Sequence, residues 1–323
     1  MSIFHRIIAR PRPLWVGISV SLLLILAPFG VITLDGVWEP VLSGGNLRLL
    51  LLSPVVIIYI LAVAQLMAKN DLNFLRAFRP LMLVDDENFD NLVRDASHIN
   101  PVGEGLAMGI GALFGLGLGL SWLQGTITWG LRLYIPVSLI LMHGLLGWTI
   151  YISIASTRLM TVLHQQPLQI DILDTKPFEP VGRYCLLTSL VFVGGITLGA
   201  IFGLDVRNIL AWQTWVLYLP LLAVPVIMFF LNMRGTHRLL ASEKNRQLQA
   251  VTQKIRLVSL GLQSKIAQEE PLGDTAIEFT ALVTFETRLR AASTWPYNTG
   301  MLRTLFFTLL LPLLVRALSA LLF

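Results

Sequence analysis

Long apolar segments, separated by shorter polar ones, dominate the chain and predict membrane-spanning helices. Each segment is about 20 residues long, which is the length that a helix needs to cross the hydrocarbon core of a bilayer. The segments lie at 14–34, 47–68, 103–123, 133–156, 184–204, 209–233 and 301–323. Because lipid offers the backbone no hydrogen-bond partners, such segments must be helical. The pattern therefore predicts an all-α, polytopic membrane helix bundle of about seven spanning helices.

Glycines concentrate in the third segment, where their spacing predicts close packing against another helix. The pairs Gly105/Gly109, Gly111/Gly115 and Gly115/Gly119 are each four positions apart, and we expect them to stack on one face. Small residues at this spacing let two helix backbones approach closely in a membrane. Glycines four apart recur in the fifth segment. The predicted helix-packing positions are Gly105, Gly109, Gly111, Gly115, Gly119, Gly195 and Gly199.

The polar segments divide the chain into five predicted units. These are an N-terminal two-span hairpin (1–69), a cytoplasmic amphipathic segment (70–102), a four-span Gly-rich core bundle with a cytoplasmic loop at 163–182 (103–233), a cytoplasmic helical hairpin (234–300) and a C-terminal span (301–323). In the amphipathic segment, apolar residues at helical spacing after Asp86 predict a helix that lies against the bundle or the membrane surface. In the loop, Leu168, Ile170 and Ile172 alternate with polar residues, which predicts a short strand or extended segment.

Residues 234–300 form the largest polar region and predict the helical hairpin. Apolar residues recur every three or four positions beyond the sixth span, a pattern typical of a coiled-coil seam. Pro271 and Gly273 interrupt it, and a second amphipathic helix follows. We expect these helices to pack on each other, because sequential elements joined by a short loop usually do; the same helix of a second subunit is the alternative cover. The predicted contact residues are Leu248, Val251, Ile255, Val258, Leu262, Ile277, Leu282, Phe285 and Leu289.

The distribution of charge predicts the orientation in the membrane. With a cytoplasmic N-terminus and seven spans, all but four of the 24 Lys and Arg residues fall on the cytoplasmic side, as the positive-inside rule requires. The tryptophans at 38, 122, 129, 212 and 215 then cluster at the opposite interface, as in an aromatic belt. We therefore expect a multi-pass protein of the inner (plasma) membrane whose C-terminus lies on the outer side.

Composition supports the membrane prediction and narrows the chemistry. The chain is 55% hydrophobic and 13% charged, against about 25% charged residues in ordinary soluble domains. The positive-inside bias accounts for the net charge of +5, so we expect no nucleic-acid partner. The single cysteine, Cys185, excludes an intramolecular disulfide and a cysteine-based metal site.

Two ionisable residues within the predicted spans, His143 and Arg316, are candidates for an intramembrane polar site. His143 is flanked by Gly144 and Gly147, so one alternative is an axial ligand for haem or a chlorin. The interpretation that we favour is a neutral histidine bonded to a neighbouring helix. We expect Arg316 to extend towards the outer interface; a pore-facing or carboxylate-paired arginine is the alternative. No pattern of a nucleophile with its base, of a nucleotide loop or of metal ligands accompanies them, so the sequence predicts no catalytic residue, metal or cofactor.

These features favour a non-enzymatic membrane protein that acts as an assembly, scaffold or signalling module through its cytoplasmic hairpin. The expected partners are the lipid bilayer and either further copies of the chain or another subunit of a membrane complex. Two alternatives stay open. One is a passive oligomeric channel or transport subunit lined by uncharged Ser, Thr and Gly faces, since passive conduction needs no intramembrane charge. The other is a pigment- or haem-carrying subunit that uses His143.

Overall fold

The described part of the chain is helical throughout its regular structure. The computed structural model describes residues 14–43, 46–96, 99–122, 128–166, 168, 170–174, 176–203, 212–295 and 298–322. These residues contain no strand, which confirms the all-α prediction. The extended segment predicted around Leu168 takes the form of an isolated antiparallel bridge between Leu168 and Met82.

Ten α-helices are present among the described residues. They are α1 (Leu14–Asp35), α2 (Trp38–Ser43), α3 (Leu47–Phe78), α4 (Asp86–Ala96), α5 (Pro101–Trp122), α6 (Trp129–His164), α7 (Glu179–Gly203), α8 (Trp212–Ala267), α9 (Gly273–Ala291) and α10 (Thr299–Leu322). Short 3-10 helices lie at Arg79–Leu81 and Lys176–Phe178.

Five helical segments of the described residues are long and apolar enough to cross a membrane, which confirms a membrane protein. They are Trp15–Asp35, Leu47–Leu81, Asp86–Leu120, Trp129–Leu163 and Lys176–Phe202. The predicted sixth span begins within 204–211, outside the described residues, and α10 contributes a shorter apolar segment, Thr299–Val315. The number seven therefore stays a prediction.

Rows of large apolar side chains point away from the bundle. On α5, Leu106, Ile110 and Leu113 are exposed, and on α10 Phe306 and Leu314 are exposed. Large contiguous apolar patches are rare on the surfaces of monomers in water, and they mark membrane or protein contacts. They are the outer surface that a bilayer would cover.

Two ends of the bundle can be defined by what lies there. At the Asp35 end, the Asp35 carboxylate accepts hydrogen bonds from the Thr128 hydroxyl (2.5 Å) and from the backbone N–H groups of Gly130 (3.3 Å) and Leu131 (3.1 Å). The carboxylate that ends α1 thus caps the start of α6, where unpaired N–H groups and the helix dipole favour a negative charge.

The opposite end, here called the α4 end, holds a large buried cluster. It combines Phe74 and Phe78 of α3, Leu163 of α6, Phe178 before α7, and Leu240 of α8. The predicted amphipathic helix is confirmed as α4, which adds Phe89 to the cluster. Because so many large side chains are buried there, this end of the bundle is a packed, folded region.

Two helices run past the predicted boundaries of their units. Helix α3 continues to Phe78, so the polar segment predicted from residue 70 begins inside a helix. Residues 69–79 contain no proline or glycine, and Pro80 follows the last helical turn. Helix α8 crosses the predicted boundary at residues 233–234 without a break, because no proline lies between Pro225 and Pro271.

Candidate functional site

The glycine face of α5 packs closely against α6. A Cβ atom on Gly111 would overlap the carbonyl oxygen of His143, and a Cβ on Gly115 would overlap that of Leu139. A Cβ on Gly119 would lie 2.8 Å from Cα of Pro136. These three positions therefore require glycine, because the two backbones touch.

The prediction that the glycines of the third span share one packing face is wrong for Gly105 and Gly109. A Cβ at either position would meet nothing within 4 Å, so both glycines point away from α6. Six positions separate Gly105 from Gly111, which corresponds to about 240° around a helix, so the two rows lie on different faces. The residues that continue the contacting row at intervals of four are Ala107 and Gly103. A Cβ on Gly147 of α6 would overlap the carbonyl oxygen of Ala107.

The fifth predicted span, α7, uses its glycines differently. The Tyr59 hydroxyl of α3 donates a hydrogen bond of 2.6 Å to the Val191 carbonyl. A Cβ on Gly194 would overlap that hydroxyl, and a Cβ on Gly195 would lie 3.7 Å from the Tyr59 ring. A Cβ on Gly199 would meet nothing within 4 Å among the described residues, so its predicted helix contact stays a prediction. The glycines of α7 form a notch for one aromatic side chain.

A buried acid lies beside the glycine face, in the first turn of α5. Glu104 is 0% exposed, and its Oε1 accepts a hydrogen bond of 2.7 Å from Nε1 of Trp148 on α6. Its other carboxylate oxygen, Oε2, is buried without a hydrogen-bond partner. A buried polar atom without a partner is uncommon and costs about 1–3 kcal/mol or more when it carries charge. Burial of Glu104 with one unpaired oxygen therefore lowers the stability of the fold.

Glu104 lies deeper in the bundle than its sequence position suggests. Its partner Trp148 precedes Arg158, the basic residue near the α4 end of α6, by ten positions, or about 15 Å of helix. The sequence pattern places Glu104 at the charged start of the third apolar segment, so it predicts only His143 and Arg316 as ionisable residues within the spans. The structure shows Glu104 to be a further ionisable residue buried inside the bundle, and ionisable residues within membrane segments are functional candidates.

A small cavity with a partly polar lining lies between α3, α6 and α7, with Trp148 as one of its lining residues. Its volume is about 40 Å³. Its polar lining comes from Asp71 of α3, from Thr149, Ser153 and Ser156 of α6, and from Tyr184 and Thr188 of α7. The Tyr184 hydroxyl lies near the Asp71 carboxylate and Ser156, which also line the cavity. The cavity thus gathers an acid and several hydroxyls in a bundle that is otherwise mostly apolar.

A polar contact beside the cavity links α6 to α8. The Thr157 hydroxyl, next in sequence to Ser156, lies 2.9 Å from Oδ1 of Asn232. Asn232 is buried on α8 between Phe229 and Met233. Polar contacts between membrane helices are worth about 0.6–2 kcal/mol each, so this one helps to fix α8 against α6.

His143 makes its hydrogen bond within its own helix and not with a neighbour. Its Nδ1 donates to the Leu139 carbonyl at 2.9 Å, and its ring meets Phe114 edge-on at 5.3 Å between centroids. The predicted interhelical hydrogen bond is therefore corrected to an intrahelical one. The side chain of Arg316 lies outside the described residues. Among the described residues, no group of three or more His, Cys, Asp or Glu side chains could hold a metal ion.

The seam predicted between α8 and α9 is partly right in its residues. Val251 and Leu289 are buried, and Leu248 and Ile255 pack against the same cluster. Ile277 and Phe285 are 69% and 38% exposed, so their assignment to the contact is wrong. On α9 the less exposed positions are 275, 276, 279, 282, 286 and 289, and apart from 276 they alternate by four and three. Ile277 and Phe285 fall outside that row because a helix advances about 100° per residue.

Sequence patterns could have located the cavity. Ile60, Ala64, Met67 and Asp71 recur at helical spacing along α3, so an acid continues the inward face of an apolar span. Tyr184, Thr188 and Val191 form the matching row on α7. The prediction missed both because it ended the second span at Ala68.

Comparison of the chain with protein-family models, with curated proteins and with solved structures found no match.

Proposed function

We propose that this is a non-enzymatic, multi-pass protein of the inner membrane that works as an assembly and signalling module. Its seven spans would place the N-terminus and the α8–α9 hairpin in the cytoplasm and the C-terminus on the outer side. The observation that carries the proposal is helix α8, which runs without a break over 56 residues, or about 84 Å.

One buried stripe follows α8 from the bundle into the hairpin. Phe229, Met233, Thr236 and Leu240 are each 0% exposed, and they alternate by four and three. Val251 continues the buried side eleven residues further on. Because packed helices move as rigid elements, a shift of α8 within the bundle would be carried to the hairpin.

Helix α9 is attached to α8 along its length by polar contacts. The Lys244 ammonium donates 2.7 Å hydrogen bonds to the carbonyls of Arg290 and Ala292. At the other end, Lys265 Nζ lies 2.9 Å from the Thr275 hydroxyl. Near the bundle the His237 ring stacks on Trp295, with centroids 3.9 Å apart. These contacts support a hairpin that is held as one body.

The outer side of α9 offers a surface for assembly. It exposes Ile277 and Phe285, with Ala281 and Thr284 between them and Arg288 one turn beyond. Contiguous apolar patches that are exposed to water often mark protein contact surfaces. Under the proposal this surface binds a further copy of the chain, or else another subunit of a membrane complex.

The test is the oligomeric state of the full-length protein in lipid nanodiscs. The parent should be oligomeric by light scattering, and the double variant Ile277→Ser with Phe285→Ser should be monomeric. Leu257→Ser is the matched control, because Leu257 is an exposed apolar residue on α8. A parent that is monomeric, or a double variant that associates as the parent does, would argue against self-assembly through α9.

The orientation has its own test in intact cells. Single cysteines at Leu42 and at Glu270, in a Cys185→Ser background, should behave oppositely towards a membrane-impermeant maleimide. The cysteine at 42 should react from outside, and that at 270 should react only after the cells are opened. The reverse pattern would invert the proposed topology. The channel and pigment alternatives stay predictions.

A further inference from the structure

The cavity between α3, α6 and α7 presents oxygen atoms that can accept but have few protons left to donate. The hydroxyl of Thr149 donates to the Leu145 carbonyl (2.8 Å), and that of Ser153 donates to the Thr149 carbonyl (2.9 Å). The hydroxyl of Thr188 donates to the Tyr184 carbonyl (3.0 Å). Each proton is thus used within its own helix, and the lone pairs of the oxygen remain available to a ligand.

The charge of the lining is negative. Asp71 contributes a carboxylate, and no lining residue in the described part of the chain is Lys, Arg or His. The Tyr184 hydroxyl lies near that carboxylate and can use at most one of its lone pairs, which leaves others for a ligand. A carboxylate in an apolar bundle is costly unless a cation or several hydrogen bonds compensate it.

The size of the cavity and the number of its charges select the ligand. A volume of about 40 Å³ exceeds the roughly 10–15 Å³ that a cavity needs to hold one water, so it admits a few waters or one small ion, and it lies far below the roughly 300 Å³ of the smaller organic-ligand sites. Carboxylate and hydroxyl oxygens suit hard cations, whereas softer metals prefer sulfur or imidazole. One carboxylate balances one positive charge. We propose that this cavity binds a single alkali-metal cation, with the Asp71 carboxylate as its charged ligand.

The neighbours of the cavity fit an ion that enters from the α4 end. Asp71 is half-buried, whereas Ile60 and Trp148 at the other end of the cavity are buried. The ion therefore meets the carboxylate first and the apolar residues last. The proposal does not depend on assembly through α9, since none of its residues lies on that surface.

The test is thermal unfolding of the purified full-length protein in detergent, followed by tryptophan fluorescence. Titrations with NaCl, KCl and LiCl are compared with choline chloride at constant ionic strength. At least one alkali cation should raise the unfolding midpoint saturably, as binding to the native state alone requires. Choline should not. Asp71→Asn should weaken the response about tenfold or more, as loss of a charged ligand does. Glu278→Gln, which changes an exposed acid on α9, is the control and should titrate as the parent does.

A second variant keeps the test decisive. Thr188→Val removes an acceptor oxygen and preserves the carboxylate, so it should also bind more weakly. If Asp71→Asn yields no folded protein, Thr188→Val decides alone: weaker binding supports the site, and parent affinity overturns it. An equal rise in choline would show a salt effect on the whole protein and overturn the proposal. So would a response that Glu104→Gln abolishes while Thr188→Val leaves it unchanged, because the ion would then lie at Glu104.

Discussion

Helix α5 packs against α6, and α9 contacts α8, but the two contacts are made by different parts of the residues. Between α5 and α6 the backbones meet, with Gly111 and Gly115 against carbonyl groups of α6. Between α8 and α9 the side chains meet, with Leu289 fully buried and the Lys244 ammonium bound to carbonyls of α9.

The difference follows from the solvent that each pair displaces. Lipid is as apolar as leucine, so burying side chains gives membrane helices little, and close backbone approach has to supply the contact energy. In water, burial of apolar side chains is the main driving force, and it is worth about 25 cal/mol per Å². The glycine pair is thus expected inside the bilayer and the leucine pair outside it, which matches the proposed topology.

The largest expected effect comes from filling the backbone contact. Gly111→Leu would place a side chain where the His143 carbonyl lies, and α5 would have to separate from α6. Overpacking typically costs about 1–3 kcal/mol, and a backbone clash leaves less room for relaxation than that range assumes. We expect no monodisperse protein in size-exclusion chromatography, or a thermal midpoint far below that of the parent.

Gly109→Leu is the matched control for that variant. Gly109 lies on the same helix with open space beside it, so leucine there should be tolerated. It should even raise helix propensity, since glycine is about 1 kcal/mol less favourable than alanine in a helix. Equal loss of folded protein in the two variants would show that α5 does not present a distinct glycine face.

The fold was largely predictable because its strongest signals are local. The apolar lengths of α1, α3, α6 and α7 follow from the thickness of the bilayer alone. The amphipathic helix α4 follows from its spacing. The helix ends were less predictable, since α3 and α8 run on through polar residues that are compatible with a helix. Which glycines touch α6 was also not predictable, because the spacing of four defines two rows and only the fold selects one.

The candidate site was not predicted, because it depends on which residues three helices bring together. Asp71 looked like part of a solvated segment, and Glu104 looked like the charged end of a span. Both point inwards because their helices run past the positions at which the apolar pattern stops. His143, the residue that looked most unusual in the sequence, makes its hydrogen bond within its own helix.

The second prediction concerns the side-chain pair. Leu289→Ala should destabilise the packing of α9 by about 2–5 kcal/mol, the usual cost of a buried leucine. Leu257→Ala on α8 is the control, since its side chain is largely exposed and should change stability little. Hydrogen exchange along α9 measures both. If the two alanines gave the same exchange rates, α9 would not be packed through Leu289.

A third contact, between α3 and α7, is intermediate between backbone packing and side-chain packing, since the Tyr59 side chain enters a notch formed by glycines of α7. Gly194→Ala should cost about 1–3 kcal/mol, because its Cβ would overlap the Tyr59 hydroxyl. Tyr59→Phe alone should cost about 1 kcal/mol through its lost bond to Val191. Combined, the two changes should cost less than their sum, because phenylalanine removes the clashing atom. Additive losses in thermal unfolding would mean that the hydroxyl does not occupy the notch.

The smallest expected effect comes from removing the charge of a lysine that belongs to the contact between α8 and α9. Lys244 donates to the last carbonyls of α9, where a cation also complements the helix dipole. Lys244→Met keeps the apolar stem and removes the charge, so α9 should lose about 1 kcal/mol at its C-terminal end. Lys254→Met changes an exposed lysine on the same helix and should leave exchange near Leu289 unchanged. Because Lys244 is only part-buried, raised salt should weaken its contribution and narrow the gap between the variants. A gap that salt leaves untouched would assign the effect to packing of the lysine stem, and the polar attachment of α9 would then have to lie elsewhere.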